Sequence, residues 1–155
     1  MKYESYDAVR ISADLSSLDF ISTGKQGEWL KRVWFVPSMT NDVYNLVFGN
    51  LITDDEVDDF SVNNNGDRNK ILATIAKAID NYTKQYPYRK IYIIGNTEAR
   101  TRLYRMAIGL NLDELSLTFD IYADTENGLV PFCRNMKLNA FLVSRKSFNQ
   151  PFTTI

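Results

Sequence analysis

Histidine is absent from this chain of 155 residues, and cysteine occurs once, at Cys133. The first absence removes histidine-based catalytic triads, histidine general acid–base chemistry and the usual zinc sites. The second excludes an internal disulfide and leaves Cys133 to be read as a small, semi-buried apolar residue. Net charge is nearly absent as well: 18 basic and 19 acidic residues leave -1, so no global field draws the chain to nucleic acid or an anionic membrane, and such binding must use a local patch. No apolar run approaches the roughly 18 residues that span a bilayer. The polar opening, Met1 to Asp7, gives no expectation of a signal peptide. A cytoplasmic protein without membrane contact is the expectation. Nucleotide fingerprints of the Gly-x-Gly-x-x-Gly or Walker type are missing too.

What is present suffices for a core. The hydrophobic fraction is 45% and the aromatic fraction 13%, as in globular proteins. The length suits one domain, expected over residues 1–146 with a tail at 147–155, and folding requires no cofactor or metal.

Taken in order, the first half reads as an antiparallel meander of four to five strands. Tyr6 to Ile11 is the first candidate. Leu18–Ser22 and Trp29–Val36 flank Gly24-Lys25-Gln26-Gly27, whose glycines supply the positive φ of a hairpin loop. Within Trp29–Val36, the face carrying Leu30, Arg32, Trp34 and Val36 is the more apolar and is expected inside, leaving Trp29 and Phe35 outside. Val43–Phe48 follows and Gly49-Asn50 closes it. The acidic run Asp54–Asp59 reads as a solvated loop before a strand at Phe60–Val62, without the ligand spacing of a calcium loop. Asp67 is placed to cap a helix from Arg68 to Tyr86, with Ile71, Ile75, Ile79, Tyr82 and Tyr86 as its buried stripe, and Pro87 stops it. After the next strand and helix, Leu115–Tyr122 and Ala140–Ser144 complete the sheet. The fold class is α+β: one mostly antiparallel sheet, helix-strand-helix-strand-strand after the meander, and two helices on one face.

The most sharply punctuated stretch is Lys90 to Met106. Lys90–Ile94 is a buried strand, Gly95-Asn96-Thr97 a turn able to cap a helix, and Glu98 onward that helix. A step of about 100° per residue puts Ala99, Leu103, Met106 and Leu110 on the buried side and leaves Thr101 and Arg105 to solvent. Unpaired N–H groups and a partial positive charge at the helix start favour an anion. The candidate site is therefore Asn96, Thr97, Arg100, Thr101, Arg102, Tyr104 and Arg105, with Tyr104 able to stack on the Arg100 guanidinium. Simple capping and surface charge are the competing reading of the same residues.

Asp19-Phe20-Ile21-Ser22-Thr23-Gly24, Val43-Tyr44-Asn45-Leu46-Val47-Phe48-Gly49, Asn64-Asn65-Gly66-Asp67 and above all Thr97-Glu98-Ala99-Arg100-Thr101-Arg102-Leu103-Tyr104-Arg105-Met106 carry a resemblance. Over nearly its whole length the chain resembles an uncharacterised family of small bacterial proteins, found mainly in Bacteroidetes. The resemblance implies fold and bacterial origin but no activity. The element order also resembles ribonuclease-H-like folds, in which carboxylates hold two metal ions. Asp19 and Asp80 are the only acids near the matching positions, and Gly95-Asn96 stands where another is needed. The functional expectation is a small cytosolic binding or regulatory domain that contacts phosphate or nucleic acid, or a protein partner or second copy of itself. The alternative is a phosphate- or nucleic-acid-processing enzyme, such as a degenerate ribonuclease-H-like protein or a toxin–antitoxin component.

Overall fold

A computed structural model describes residues 3–59 and 64–147. The elements are β1 (Arg10–Ile11), β2 (Ser17–Gly24), β3 (Gly27–Pro37), β4 (Val43–Thr53), β5 (Glu56–Asp58), α1 (Arg68–Gln85), β6 (Lys90–Ile93), α2 (Glu98–Leu110), α3 (Leu112–Leu115), β7 (Phe119–Thr125), β8 (Gly128–Pro131) and β9 (Ala140–Arg145). Among the described residues the strands form one open sheet in the order β1-β2-β3-β4-β6-β9-β7-β8, with β5 also on β4, and with the helices make an α+β fold. Every pairing is antiparallel except β4 with β6.

The meander forms as its turn residues dictate. Gly24 pairs with Gly27, which takes φ +93°, so the β2–β3 hairpin closes over two residues. Only Arg10–Ile11 of the first candidate strand joins the sheet. β4 does not stop at Gly49 but continues to Thr53, and part of the acidic run is itself strand: Asn50 pairs with Asp58 and Leu51 with Val57. A Cβ on Gly49 would stand 2.1 Å from the Asp58 carbonyl oxygen. Glycine there permits a close backbone approach and does not terminate the strand. The candidate strand Phe60–Val62 lies outside the described residues, as does the tail beyond Ser147.

β3 corrects the choice of inner face. Lys31, Val33 and Phe35 are the residues under the helices, with Phe35 stacked on Tyr82 of α1 at 4.3 Å between ring centroids. Leu30, Arg32, Trp34 and Val36 lie on the opposite, helix-free face. Alternation defines two faces, but hydrophobicity chose the wrong one, because the core side carries a lysine, Lys31, and the helix-free side an arginine, Arg32, that is buried as one partner of an ion pair. Trp29 remains partly exposed and its indole N–H donates to the Gln26 carbonyl.

α1 packs through Ile75, Ala78, Ile79 and Tyr82, the periodic stripe its sequence carries. Asp67 precedes it but makes no side-chain cap; its Oδ2 accepts from Tyr6 Oη at 2.6 Å and from Ser22 Oγ at 2.5 Å. α2 packs through Tyr104, with Ile108 against the core, whereas Met106 and Leu110 are 54% and 82% exposed. Its buried side is thus rotated from the apolar stripe. After α2, Leu112–Leu115 is helical and the strand begins only at Phe119. Cys133 is exposed, not semi-buried.

On the helix-free face, Asp19 is 1% exposed and receives Arg32 Nε at 2.7 Å, Arg32 Nη2 at 3.0 Å and Arg10 Nε at 2.9 Å. Arg32 also donates to the Asp54 carbonyl, tying the β4–β5 turn to β3. Burial pushes the Asp19 carboxyl up, but the two guanidinium groups outweigh it and hold it below the ordinary 3.8. Removing the carboxylate strands a buried cation, so Asp19→Ala is expected to cost about 3–5 kcal/mol by chemical denaturation. In the wild type, the stability due to this depressed pKa is complete above the unfolded-state value. It is lost as pH falls through the lower folded value, and acid titration of the denaturation midpoint reads it.

Candidate functional site

The start of α2 is built by its turn. A Cβ on Gly95 would lie 2.4 Å from the Thr101 backbone nitrogen, so only glycine lets the helix fold back this closely on the end of β6. Thr101 then belongs to the turn: its Oγ1 accepts from Gly95 N–H at 3.0 Å. Thr97 is the cap, its Oγ1 accepting from Arg100 N–H at 3.1 Å, and Glu98 lies in the first turn beside the positive helix end.

Arg100 meets a gap in the sheet. One edge of β4 pairs with β6 over Val43–Asn45 and with β5 from Asn50 onward. Between these stretches Arg100 Nη1 donates to the Phe48 carbonyl at 3.3 Å and to the Asp59 carbonyl at 2.5 Å. Asn96 Nδ2 donates to the same Asp59 carbonyl at 3.1 Å. A guanidinium thus satisfies backbone acceptors where no strand reaches. Its stacking partner is Phe48, 5.9 Å away, in place of the expected Tyr104.

These residues stand at one wall of a cleft of about 1320 Å³ over the helix face of the sheet. Thr97, Arg100, Arg102 and Tyr104 line that wall, the first turn of α1 lines the other, and Ser22, Lys31 and Phe48 form the floor. Among the described lining residues are five cations, Lys31, Arg68, Lys70, Arg100 and Arg102, and three carboxylates, Glu4, Asp59 and Asp67. Lys31 is 5% exposed; its Nζ donates to Asn50 Oδ1 at 2.7 Å and lies 5.6 Å from the Phe48 ring centre. Burial pulls the Lys31 ammonium below the usual lysine value, opposed by the nearby Asp67 carboxylate. Burial likewise raises the Tyr104 phenol, against the Arg100 charge.

α1 reinforces the positive sign. Its first turn holds Arg68 and Lys70 and no acid, although the helix dipole there is already positive. Lys70 Nζ sits 4.3 Å from the Tyr6 ring centre. Tyr6 is held by its Oη on Asp67 and its N–H on Thr74 Oγ1. Asn65 fastens the preceding turn to the hairpin, donating to Ser22 Oγ at 3.1 Å and Gly27 O at 3.0 Å and accepting from Gln26 N–H.

Of the residues singled out from the sequence, Asn96, Thr101 and Arg105 are not among those lining the cleft. Asn96 and Thr101 are engaged in the turn, and Arg105 is half-buried beyond it. Among the described residues Arg102 and Arg105 form no ion pair. Sequence reasoning missed Lys31, Arg68 and Lys70. The absence of an acid from the first turn of α1 was the available signal for two of them.

The acids proposed for metal chemistry do not meet. Asp19 lies on the helix-free face, whereas Asp80 on α1 pairs with Arg145 and Lys84 on the other side of the sheet. No group of three or more potential acidic or cysteine ligands occurs among the described residues. No helix among them is long and apolar enough to cross a membrane.

The fold and the cleft together define an open-sheet α+β protein, with its two long helices on one face and a mainly cationic recess between them. A family model described as a family of unknown function, DUF6934, matches residues 2–146, and the chain belongs to that family. No curated protein and no solved structure matches it.

Three substitutions separate the structural and exposed parts of the α2 start. Arg100→Ala leaves the Phe48 carbonyl without its side-chain donor and the Asp59 carbonyl with Asn96 alone, and is expected to cost about 1.5–3 kcal/mol. Thr97→Ala removes the cap and costs about 1 kcal/mol. Arg102→Ala leaves stability within about 0.5 kcal/mol. Urea denaturation of the four proteins checks the ranking.

Proposed function

We propose that this is a small cytosolic bacterial binding domain whose cleft takes an anionic, phosphate-bearing ligand. The observation that carries the reading is the convergence of Lys31, Lys70, Arg100 and Arg102 on one recess between the starts of two helices. A chain of net charge -1 has no general excess of cations, so gathering them in a concave site favours a local anion. Helix N–H groups and guanidinium groups are the donors that phosphate oxygens accept from. The roles divide by burial. Arg100 and Lys31 are anchored by the fold and set the potential, whereas Arg102 and Lys70 are placed to meet a ligand.

Calorimetric titration with inorganic phosphate at low ionic strength tests this. Binding is expected to weaken about fivefold or more in Arg102→Ala and in Lys70→Ala, with thermal stability unchanged, and to weaken further as salt is added. Absence of phosphate binding, or binding indifferent to both substitutions, would sink the reading. Tighter binding of a short single-stranded RNA than of phosphate, reduced by the same substitutions, would extend the reading to nucleic acid.

Self-association is a second reading, favoured by the exposure of Leu110 at the end of α2 and of Leu117 just after α3. It is expected to appear as a dimer in sedimentation equilibrium that Leu110→Glu dissociates. A monomer at all concentrations would remove it.

A further inference from the structure

A second recess adjoins the cleft. It is an apolar, half-open cavity of about 70 Å³ between α1, α2 and the sheet, bordered by Ile79, Ile93, Ala107, Ile108, Leu115 and Phe119 among others. Water needs about 10–15 Å³ of such space and two or more polar partners, and a lining this apolar offers almost none. The cavity is therefore a place for hydrocarbon. A cavity about twice this size, lined by similar side chains, accommodates benzene in another protein, so a few carbon atoms fit here.

Leu72, Ile75 and Tyr104 border both the cavity and the cationic cleft. The two spaces therefore share these three side chains as a common wall, Tyr104 from α2 and Leu72 and Ile75 from α1. Cations lie on one side of this boundary and aliphatic side chains on the other.

Resting on the anion-binding reading of the cleft, we infer that the ligand is an amphiphilic anion: a phosphate or carboxylate head held in the cleft, with a short unbranched alkyl tail whose first few carbons enter the cavity. The head meets Arg102 and Lys70 in the field of Arg100 and Lys31. The tail passes Tyr104 and replaces empty space beside Ala107 and Ala76. Neither recess alone selects such a molecule. The cleft is too open to discriminate among small anions, and the cavity is too small to bind a hydrocarbon tightly.

The experiment is a calorimetric series of inorganic, methyl, butyl and hexyl phosphate, with acetate and hexanoate as the carboxylate arm. Each methylene buried adds about fourfold to affinity. Hexyl phosphate or hexanoate is therefore expected to bind at least tenfold tighter than the shortest member of its series. The series with the larger gain identifies the head. Ala107→Phe and Ala76→Leu fill the cavity and are expected to abolish the chain-length gain while leaving inorganic phosphate affinity unchanged. Two variants are used so that one remains if the other fails to fold, as judged by circular dichroism. Phosphate binding with no chain-length gain, or a gain that persists in the filled variants, overturns this inference and leaves the anion reading standing. A gain with chain length that ignores Arg102→Ala and Lys70→Ala overturns both.

Discussion

The parallel pairing of β4 with β6 is the constraint on which the rest of the molecule depends. Only Val43–Asn45 and Lys90–Tyr92 take part, yet this contact joins an antiparallel meander to a second antiparallel group, β6, β9, β7 and β8. A parallel connection needs a crossover, and here β5 and α1 supply it. Because the chain must return to the same end of the sheet before β6 begins, α1 covers the meander. The helix that follows β6 covers the other half. Ile93, buried on the helix face of β6, borders the same space as side chains of both α1 and α2.

So short a parallel contact leaves part of the β4 edge to other partners. β5 takes the far end, and Arg100 supplies donors in between. The same side chain stands in the wall of the cleft, so the polar accounting of the backbone and the electrostatics of the recess are coupled. Its hydrogen bonds hold the guanidinium in place, and the Thr97 cap and the Gly95 approach fix the helix that carries it. The sheet similarly holds Lys31 beside Asn50. A cation ordered by the fold loses little freedom when an anion arrives, which is the benefit of preorganisation.

The two faces of the sheet solve the charge problem differently. On the helix-free face, Asp19 and Arg32 are matched within hydrogen-bonding distance and the pair closes on itself with Arg10. On the helix face, cations outnumber carboxylates around the cleft, and Asp67 is engaged by Tyr6 and Ser22. The self-satisfied ion pair is architecture; the unequal set in a recess is the feature on which the proposed ligand site rests.

The sequence by itself determined the local elements and the fold class. Two-residue glycine turns, the periodic stripe of α1, Pro87 after it and Thr97 before α2 act through the chemistry of a few neighbouring residues, and each is visible in a short window. The β2–β3 hairpin, α1, β6 and the start of α2 were legible for that reason. Tertiary structure alone decided which way each element faces and which distant residues meet. Lys31 is inside because its strand lies under helices encoded elsewhere, and α2 is rotated so that Arg100 and Tyr104 face the sheet while Met106 and Leu110 do not. Hydrophobicity ranks faces but does not report a gap in a neighbouring strand that calls for a guanidinium. The cleft was half legible, at Thr97, Arg100, Arg102 and Tyr104, because those residues share one turn-and-helix signal. Its other half, Lys31, Arg68 and Lys70, is brought there by sheet pairing and helix packing, interactions between residues far apart in the chain.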